Sequence, residues 1–219
     1  MRRKLFLIIL IIISFGFFLA DFAMAAKPAG ERGEEFVREK LATELDQNYY
    51  KIINNVLVAT DSYPNTAQID HIVISDFGIF CLETKDYSGW IFGRADKQYW
   101  TQFVNFKRRK FYSPLGQNYA HVAAIKSLLQ PLNISVSVYS FVVFTDAGRI
   151  RVTGASSVGY ARDIVSNIRA FDKKVITAEE RDKIYQTINQ ANILDEEARQ
   201  THIKKVSEIK EAARLRTNR

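Results

Sequence analysis

The sequence has few of the residues on which several common kinds of protein site depend. A single cysteine, Cys81, in 219 residues excludes an intrachain disulfide framework and a zinc site built from several cysteines. The three histidines, His71, His121 and His202, are far apart in sequence, which argues against a histidine-rich metal site. The chain also contains no internal repeat, no low-complexity tract and no helicase, kinase or zinc-ribbon signature. A metal site in this chain is therefore expected to use oxygen ligands.

The overall composition is that of a folded protein with an excess of positive charge. Hydrophobic residues make up 47% of the chain and charged residues 25%, which is enough apolar surface to exclude wholesale disorder. The net charge of +7 is compatible with an anionic partner, such as nucleic acid or an acidic membrane surface. The length suits one domain with appendages, or at most two small domains.

The N-terminal segment has the pattern of a membrane-directing sequence. Three basic residues at 2–4 precede an uninterrupted apolar or small run over 5–20. A helix over this run rises about 24 Å, which is short of the ~30 Å hydrocarbon core of a bilayer. If Asp21 lies at the interface, the helix can extend to Ala26 and span the membrane. Residues 5–26 are then a single-pass transmembrane anchor.

The same segment also fits a secretory signal peptide over residues 1–26. Ala23-Met24-Ala25 is a small-x-small cleavage pattern after a basic start and an apolar middle. The sequence leaves the anchor and the cleaved signal open. In both cases the basic end tends to stay in the cytoplasm, so the rest of the chain is expected to be exported to a periplasmic or other extracytoplasmic location.

The order of predicted elements after this segment indicates an α/β or α+β core with a mixed sheet. A helix is followed by a run of strands, a second helix, a strand that is apolar on both faces, and further helices. Thr177 and Glu180 form a capping-box pattern at the start of one late helix. The predicted helices cover 31–45, 114–129, 163–171, 177–190 and 195–215, and the predicted strands cover 52–58, 68–74, 79–84, 89–93, 99–106, 136–145 and 155–158.

Three polar residues are predicted to meet at one end of a strand pair. Asp70 lies within an apolar strand, where a carboxylate is costly unless it is paired or binds a metal. Glu83 and Lys85 end the next strand and point to the same face, because strand side chains alternate. Two carboxylates suit Mg²⁺, and a lysine beside them can orient water or stabilise negative charge. This arrangement suits metal-assisted phosphodiester hydrolysis, although an ordinary surface salt bridge also explains Glu83 and Lys85.

Two further positions extend this pattern, and each also has a purely structural explanation. Glu34 lies in the first turn of the first helix, where the helix dipole alone favours an acid. Gln117 and His121 are four residues apart on the helix that begins at Pro114, so they share one face. That face is otherwise expected to be an exposed polar edge.

Taken in order, these motifs resemble the nuclease-related domain (NERD) family, a branch of the PD-(D/E)XK nuclease superfamily. The resemblance covers roughly residues 30–145 and implies a restriction-endonuclease-like mixed sheet flanked by helices. Ser113 departs from the asparagine that family members often have before the proline. The domain is expected over 27–160, with a C-terminal helical extension over 161–219. The matching residues are Gly30-x-x-Gly33-Glu34, Asn55-Val56-Leu57, Gln68 to Val73, Gly78-Ile79-Phe80, Glu83-Thr84-Lys85, Tyr87 to Gly93, Trp100, and Pro114-Leu115-x-Gln117-Asn118 with His121.

The resemblance implies roles for individual residues. Glu34, Asp70 and Glu83 are expected to hold Mg²⁺ or Mn²⁺, Lys85 to be the catalytic lysine, and Gln117 to support the active site. The expected activity is hydrolysis of nucleic acid, with DNA ahead of RNA. The alternative is an inactive module with a nuclease fold that binds nucleic acid, protein or a membrane surface, since a fold does not prove an activity.

A segment rich in aromatic and basic residues follows the predicted site. Residues 87–112 contain nine aromatic side chains and the basic run Lys107, Arg108, Arg109 and Lys110. Interleaved rings and bases suit nucleic-acid binding by stacking and phosphate neutralisation. Most of the aromatic residues are expected to pack a hairpin instead. The basic run is a candidate phosphate contact, a solvated turn, or a contact to anionic lipid.

Overall fold

The computed structural model describes residues 29–62 and 64–217. The predicted anchor or signal peptide over 1–26 lies outside the described residues. Among the helices of the described ranges, none is long and apolar enough to cross a membrane.

The described residues form a mixed α/β fold with nine strands and five α-helices, one of them C-terminal. The helices are α1 (Ala29–Glu44), α2 (Pro114–Leu129), α3 (Ile164–Arg169), α4 (Ala178–Ala191) and α5 (Glu196–Thr217). The strands are β1 (Tyr50–Ala59), β2 (Thr66–Ser75), β3 (Gly78–Lys85), β4 (Gly89–Arg94), β5 (Tyr99–Val104), β6 (Lys107–Tyr112), β7 (Val138–Phe144), β8 (Ala147–Thr153) and β9 (Val158–Tyr160).

A five-stranded mixed sheet forms the centre of the fold, in the order β1-β2-β3-β7-β9. The first three strands form an antiparallel meander. Strand β7 then pairs parallel to β3, and α2 makes the crossover between them. Seven of the eight residues of β3 are buried, as expected for a strand covered on both faces.

Helices cover both faces of this sheet, which explains the apolar character of its central strands. On one face, Ile125 of α2 and Ile184 of α4 pack against the sheet. On the other, Leu41 of α1 and Ile164 of α3 pack against Phe80. The polar ends of β2 and β3 therefore emerge between two well-packed helical layers.

A second, four-stranded sheet has the order β6-β5-β4-β8 and begins directly after β3. Residues 107–112 form a strand within it, so of the turn or strand end expected for the basic run, the structure has a strand. Strand β8, which the sequence pattern did not predict, pairs parallel to β4. One face of this sheet packs on a third core cluster that includes Ile91, Trp100 and Phe144.

Several predicted elements agree closely with the structure. Helix α2 has the predicted bounds, and Thr177 and Glu180 form the predicted capping box at the start of α4. The short strand predicted over 155–158 instead covers Val158–Tyr160.

Candidate active site

Asp70 and Glu83 lie side by side where strands β2 and β3 separate. The antiparallel pairing of these strands ends at His71 and Leu82, so the next opposed positions are Asp70 and Glu83. Opposed residues of an antiparallel pair point to the same face. The Asp70 carboxylate accepts a hydrogen bond from the backbone N–H of Thr84, with 2.7 Å between Oδ2 and N. The two carboxylates therefore share one face of the sheet, as the sequence pattern predicts.

Lys85 joins this pair of strands to helix α2. Its ammonium group donates to Oε1 of Glu83, which is only 1% exposed. The same group donates to Oε1 of Gln117 at 3.2 Å. The structure therefore brings Glu83, Lys85 and Gln117 together, although they come from two elements separated by 32 positions.

His121 is buried beside Glu83, so the expectation of an exposed polar edge is wrong at this residue. Its Nδ1 lies 3.5 Å from Oε2 of Glu83, and both atoms are buried without a hydrogen-bond partner. Burial, with the positive charge of Lys85 and the nearby His202, lowers the pKa of His121 to about 3. A neutral imidazole therefore faces the buried carboxylate.

The acids of the site are crowded and partly removed from water. Burial and the charge of Asp70 raise the pKa of Glu34 to about 7. Burial and the charge of Glu83 raise the pKa of Asp70 to about 7. Burial also raises the pKa of Glu83. Burial alone would lower the pKa of Lys85, but Glu83 and Asp70 outweigh it and raise that pKa above its usual value. Lys85 therefore keeps its positive charge among three carboxyl groups whose pKa values are all raised.

A glycine allows helix α1 to approach the end of β3. A Cβ atom at Gly33 would lie 2.8 Å from Cβ of Asp86, which is closer than non-bonded carbons pack. This contact brings the first turns of α1, with Glu34, next to the residue after Lys85. A cleft of about 450 Å³ opens there, and its lining includes Phe36 and Ser88. Gly33 and Asp86, the chain neighbours of Glu34 and Lys85, also line the cleft, so it lies beside the site on the α1 side.

The donor chemistry of these acids suits a hard divalent cation. Glu34, Asp70 and Glu83 offer carboxylate oxygens, and the buried Oε2 of Glu83 has no other partner. Within residues 29–62 and 64–217, no three His, Cys, Asp or Glu side chains converge closely enough to hold a metal ion. Coordination by all three acids therefore requires their side chains to move closer together.

The sequence patterns assigned no role at the site to two residues that lie near the acids. Asn55 lies opposite Asp70 in the β1–β2 register and has a φ of 54°, an uncommon left-handed conformation inside a strand. Lys210 of α5 lowers the pKa of Asp70 and of Glu83 by its charge. Nothing in the mixed-charge pattern of residues 195–215 singles out Lys210, because its proximity depends on how α5 packs.

Contacts to the β1–β2 region hold α5 in place. His202 and Thr66 share a hydrogen bond of 2.8 Å between Nδ1 and Oγ1, and Lys205 donates to the carbonyl of Pro64 at 3.3 Å. Arg199 donates to the carbonyl of Asn55 at 3.2 Å. These contacts hold α5 close to the Asp70 and Glu83 carboxylates.

The predicted nucleic-acid residues 107–110 lie on β6, in the other sheet. All four side chains are exposed. Alternation along the strand places Arg108 and Lys110 on one face, and Lys107 and Arg109 on the other. Trp100 is buried, as predicted for a packing residue, whereas Trp90 is 46% exposed.

The sequence matches the nuclease-related domain (NERD) family over residues 29–145, a range that contains Glu34, Asp70, Glu83, Lys85 and Gln117. An uncharacterised protein of Bacillus anthracis is 36% identical over 176 residues, which cover 80% of this chain and 82% of that protein. No solved structure matches the chain. The family match covers more than half of the chain and contains the polar cluster at the end of β3. The chain therefore belongs to the nuclease-related domain family.

Proposed function

We propose that this protein is a Mg²⁺-dependent nuclease that hydrolyses phosphodiester bonds, with DNA ahead of RNA as the substrate. One observation carries the proposal: Asp70, Glu83 and Lys85 meet at one strand end, with Gln117 holding Lys85 from α2. This set combines hard oxygen donors with a fixed positive charge, a combination suited to metal-assisted phosphodiester hydrolysis.

Each residue has a distinct role in this proposal. Asp70 and Glu83, helped by Glu34, hold Mg²⁺ or Mn²⁺, which supplies Lewis-acid stabilisation of the phosphate charge. Lys85 orients the attacking water or stabilises the developing negative charge. Gln117 keeps the Lys85 ammonium directed at the site.

The proposed location is outside the cytoplasm. Either residues 5–26 anchor the chain in the membrane, or cleavage after Ala25 removes residues 1–25. Fractionation of cells, with mass determination of the N-terminus, tests both possibilities. A chain found in the cytoplasm with an intact N-terminus contradicts this part of the proposal.

The decisive test is a cleavage assay on labelled DNA and RNA with Mg²⁺ or Mn²⁺. We expect Asp70→Asn and Lys85→Met to lose at least about 100-fold in rate, since each removes a charge that acts on the reacting phosphate. Lys126→Met is the matched control, because Lys126 is an exposed lysine of the same helix that carries Gln117. Equal cleavage by the wild type and both site variants would refute the nuclease assignment.

A non-catalytic module is the second candidate, and one contact favours it. Lys85 already neutralises Glu83, so the pair is stable without a cation. Calorimetry with Mg²⁺ and Mn²⁺ separates the candidates. A heat of metal binding that the wild type shows and Asp70→Asn does not show supports the nuclease. Absence of metal binding together with salt-sensitive nucleic-acid binding supports the module, and absence of both supports a protein or lipid partner.

A further inference from the structure

The four-stranded sheet presents one face on which basic and aromatic residues occur in rows. Residues in register across its strands point to the same side. One row is Arg108, Phe103, Trp90 and Arg149, and the next is Lys110, Thr101, Phe92 and Arg151. We call this side, with Tyr99 and Tyr112 in the following row, the outer face.

The opposite side of the same sheet is buried, which shows that the outer face is turned away from the core. Ile91, Trp100 and Ile150 occupy the alternate positions and pack against Leu115 and other residues of the third core cluster. On the outer face, Trp90 is 46% exposed and Tyr112 is 48% exposed. Large rings left open to solvent on a sheet need a reason other than packing.

The rings and cations of the outer face are in contact with one another. The guanidinium of Arg149 lies 5.6 Å from the centre of the Trp90 ring. The rings of Trp90 and Phe92 are 6.2 Å apart, and those of Tyr99 and Tyr112 are 5.9 Å apart. Two pairs of rings therefore lie on the outer face, and positive charge lies on both of its edge strands.

The charge of this sheet has one sign. Strands β4, β5, β6 and β8 contain no Asp or Glu, while β6 and β8 contribute Arg108, Lys110, Arg149 and Arg151 to the outer face. Asp96, in the turn between β4 and β5, is held by Arg94 at 2.9 Å. A ligand that matches this face must therefore combine flat apolar rings with regularly spaced negative charge.

We propose that the outer face binds single-stranded nucleic acid. The bases of the nucleic acid stack on Trp90, Phe92 and Phe103. The phosphates of the nucleic acid pair with the flanking arginines and Lys110. Unpaired bases expose the ring faces that such stacking needs, whereas a duplex hides them. The proposal names a substrate class, and it rests on the proposed nuclease function only for its connection with cleavage.

The outer face is close enough to the site acids for nucleic acid bound on it to reach them. Gly89, the first residue of β4, follows Lys85 by four positions, so their Cα atoms are at most about 14 Å apart. Strand β8 likewise begins three positions after Phe144, the last residue of β7. A single strand of nucleic acid bound across the outer face can therefore continue to the end of β3.

The test is binding of a fluorescent oligo(dT) strand, followed by anisotropy, to the full-length chain carrying Asp70→Asn in EDTA, so that cleavage does not interfere. We expect Trp90→Ala to weaken binding at least about fivefold, which is the low end of the stacking range per base. We expect Arg149→Ala with Arg151→Ala to weaken binding and to reduce the slope of log affinity against log salt by about 1.4. Lys183→Ala, an exposed lysine of α4, is the matched control and keeps wild-type affinity.

Three outcomes overturn the proposal. The first is unchanged affinity and salt slope in the Trp90 and arginine variants when thermal melting shows that they are folded. The second is tighter binding of a duplex than of the single strand. The third is that these variants lose binding to phosphatidylglycerol vesicles but keep binding to oligo(dT). That result would assign the face to a membrane.

Failure of the nuclease proposal is recognised separately. If the wild type does not cleave with any metal but the outer-face variants lose oligo(dT) binding, the nuclease proposal fails and the outer face stands. If the wild type cleaves and the outer-face variants bind and cleave as it does, the outer face fails and the nuclease stands.

Discussion

The Asp70 carboxylate accepts a hydrogen bond from the backbone N–H of Thr84 at the point where two strands stop pairing, with 2.7 Å between the atoms. Because the ladder between β2 and β3 ends at His71 and Leu82, this side chain replaces the backbone acceptor that the next position would supply. Asp70, which is proposed to bind the metal ion, therefore also holds β3, the strand that contains Glu83, in place.

These two roles of Asp70 are separable by substitution. At pH 4, where Asp70 is protonated in the folded protein, Asp70→Asn keeps an acceptor for Thr84, so we expect a stability close to that of the wild type. Asp70→Ala leaves that N–H without its partner and is expected to cost about 1–3 kcal/mol. Urea denaturation measures the stability, and both variants should lose cleavage. A stability of Asp70→Asn at or below that of Asp70→Ala would contradict the proposed hydrogen-bonding role.

The raised pKa of Asp70 gives its contribution to stability a definite pH dependence. Its pKa is about 7 in the folded protein and near 3.8 when unfolded, so between these values the native state holds more protons. The contribution is full below the unfolded pKa and is lost as the pH rises through about 7, with a slope of up to about 1.4 kcal/mol per pH unit. Without divalent cations, Asp70→Asn should therefore gain stability over the wild type from pH 5 to pH 8.

The wild type is compared with Asp70→Asn because two histidines change the pH dependence of stability in the opposite direction. Burial lowers the pKa of His71 to about 4 and that of His121 to about 3, so both cost stability as the pH falls below 6.5. The difference between wild type and Asp70→Asn cancels their effect. A difference that stays constant across this range would contradict the raised pKa of Asp70.

Asn118 anchors the site helix α2 to the sheet. Its Nδ2 donates to the carbonyls of Cys81 at 3.0 Å and Phe141 at 2.9 Å, and to the Ser140 hydroxyl at 2.9 Å. Asn118→Ala removes donors from buried carbonyls and should cost about 2–4 kcal/mol in urea denaturation. Gln117→Ala, one residue away, should leave stability nearly unchanged while reducing cleavage. Equal stability losses in the two variants would contradict this division of roles.

The positions of the site residues could be predicted where local geometry decides them. Alternation along β3 places Glu83 and Lys85 on one face, whereas only the family resemblance implied that Gln117 supports the active site. The burial of His121 and the approach of Lys210 could not be predicted in this way. Both depend on how helices far apart in the chain pack on the sheet, and no local period encodes that packing. Strand β8 was missed because its alternation of charged and apolar residues is short and begins with glycine after alanine.

A buried ion pair illustrates the same limit in the core. Arg181 of α4 donates to Asp76 in the β2–β3 turn at 2.9 Å, and both residues are buried, 105 positions apart. Arg181→Ala leaves a buried carboxylate with one exposed partner, Lys174, and should cost about 3–5 kcal/mol. Lys174→Ala should cost less than about 1 kcal/mol, because its side chain is 68% exposed. Similar losses in both variants would show that the buried contact is not the dominant one.

Lys210 connects the C-terminal helix with the chemistry of the site. Its charge lowers the pKa of Asp70 and Glu83, so Lys210→Met should raise both pKa values and move the acid limb of the cleavage rate to higher pH. The shift should shrink at high salt, because Lys210 is exposed and salt screens its charge. Lys204→Met, an exposed lysine of the same helix, is the control and should leave the profile in place. A profile that does not move in Lys210→Met, or moves to lower pH, would show that α5 does not influence the carboxylates.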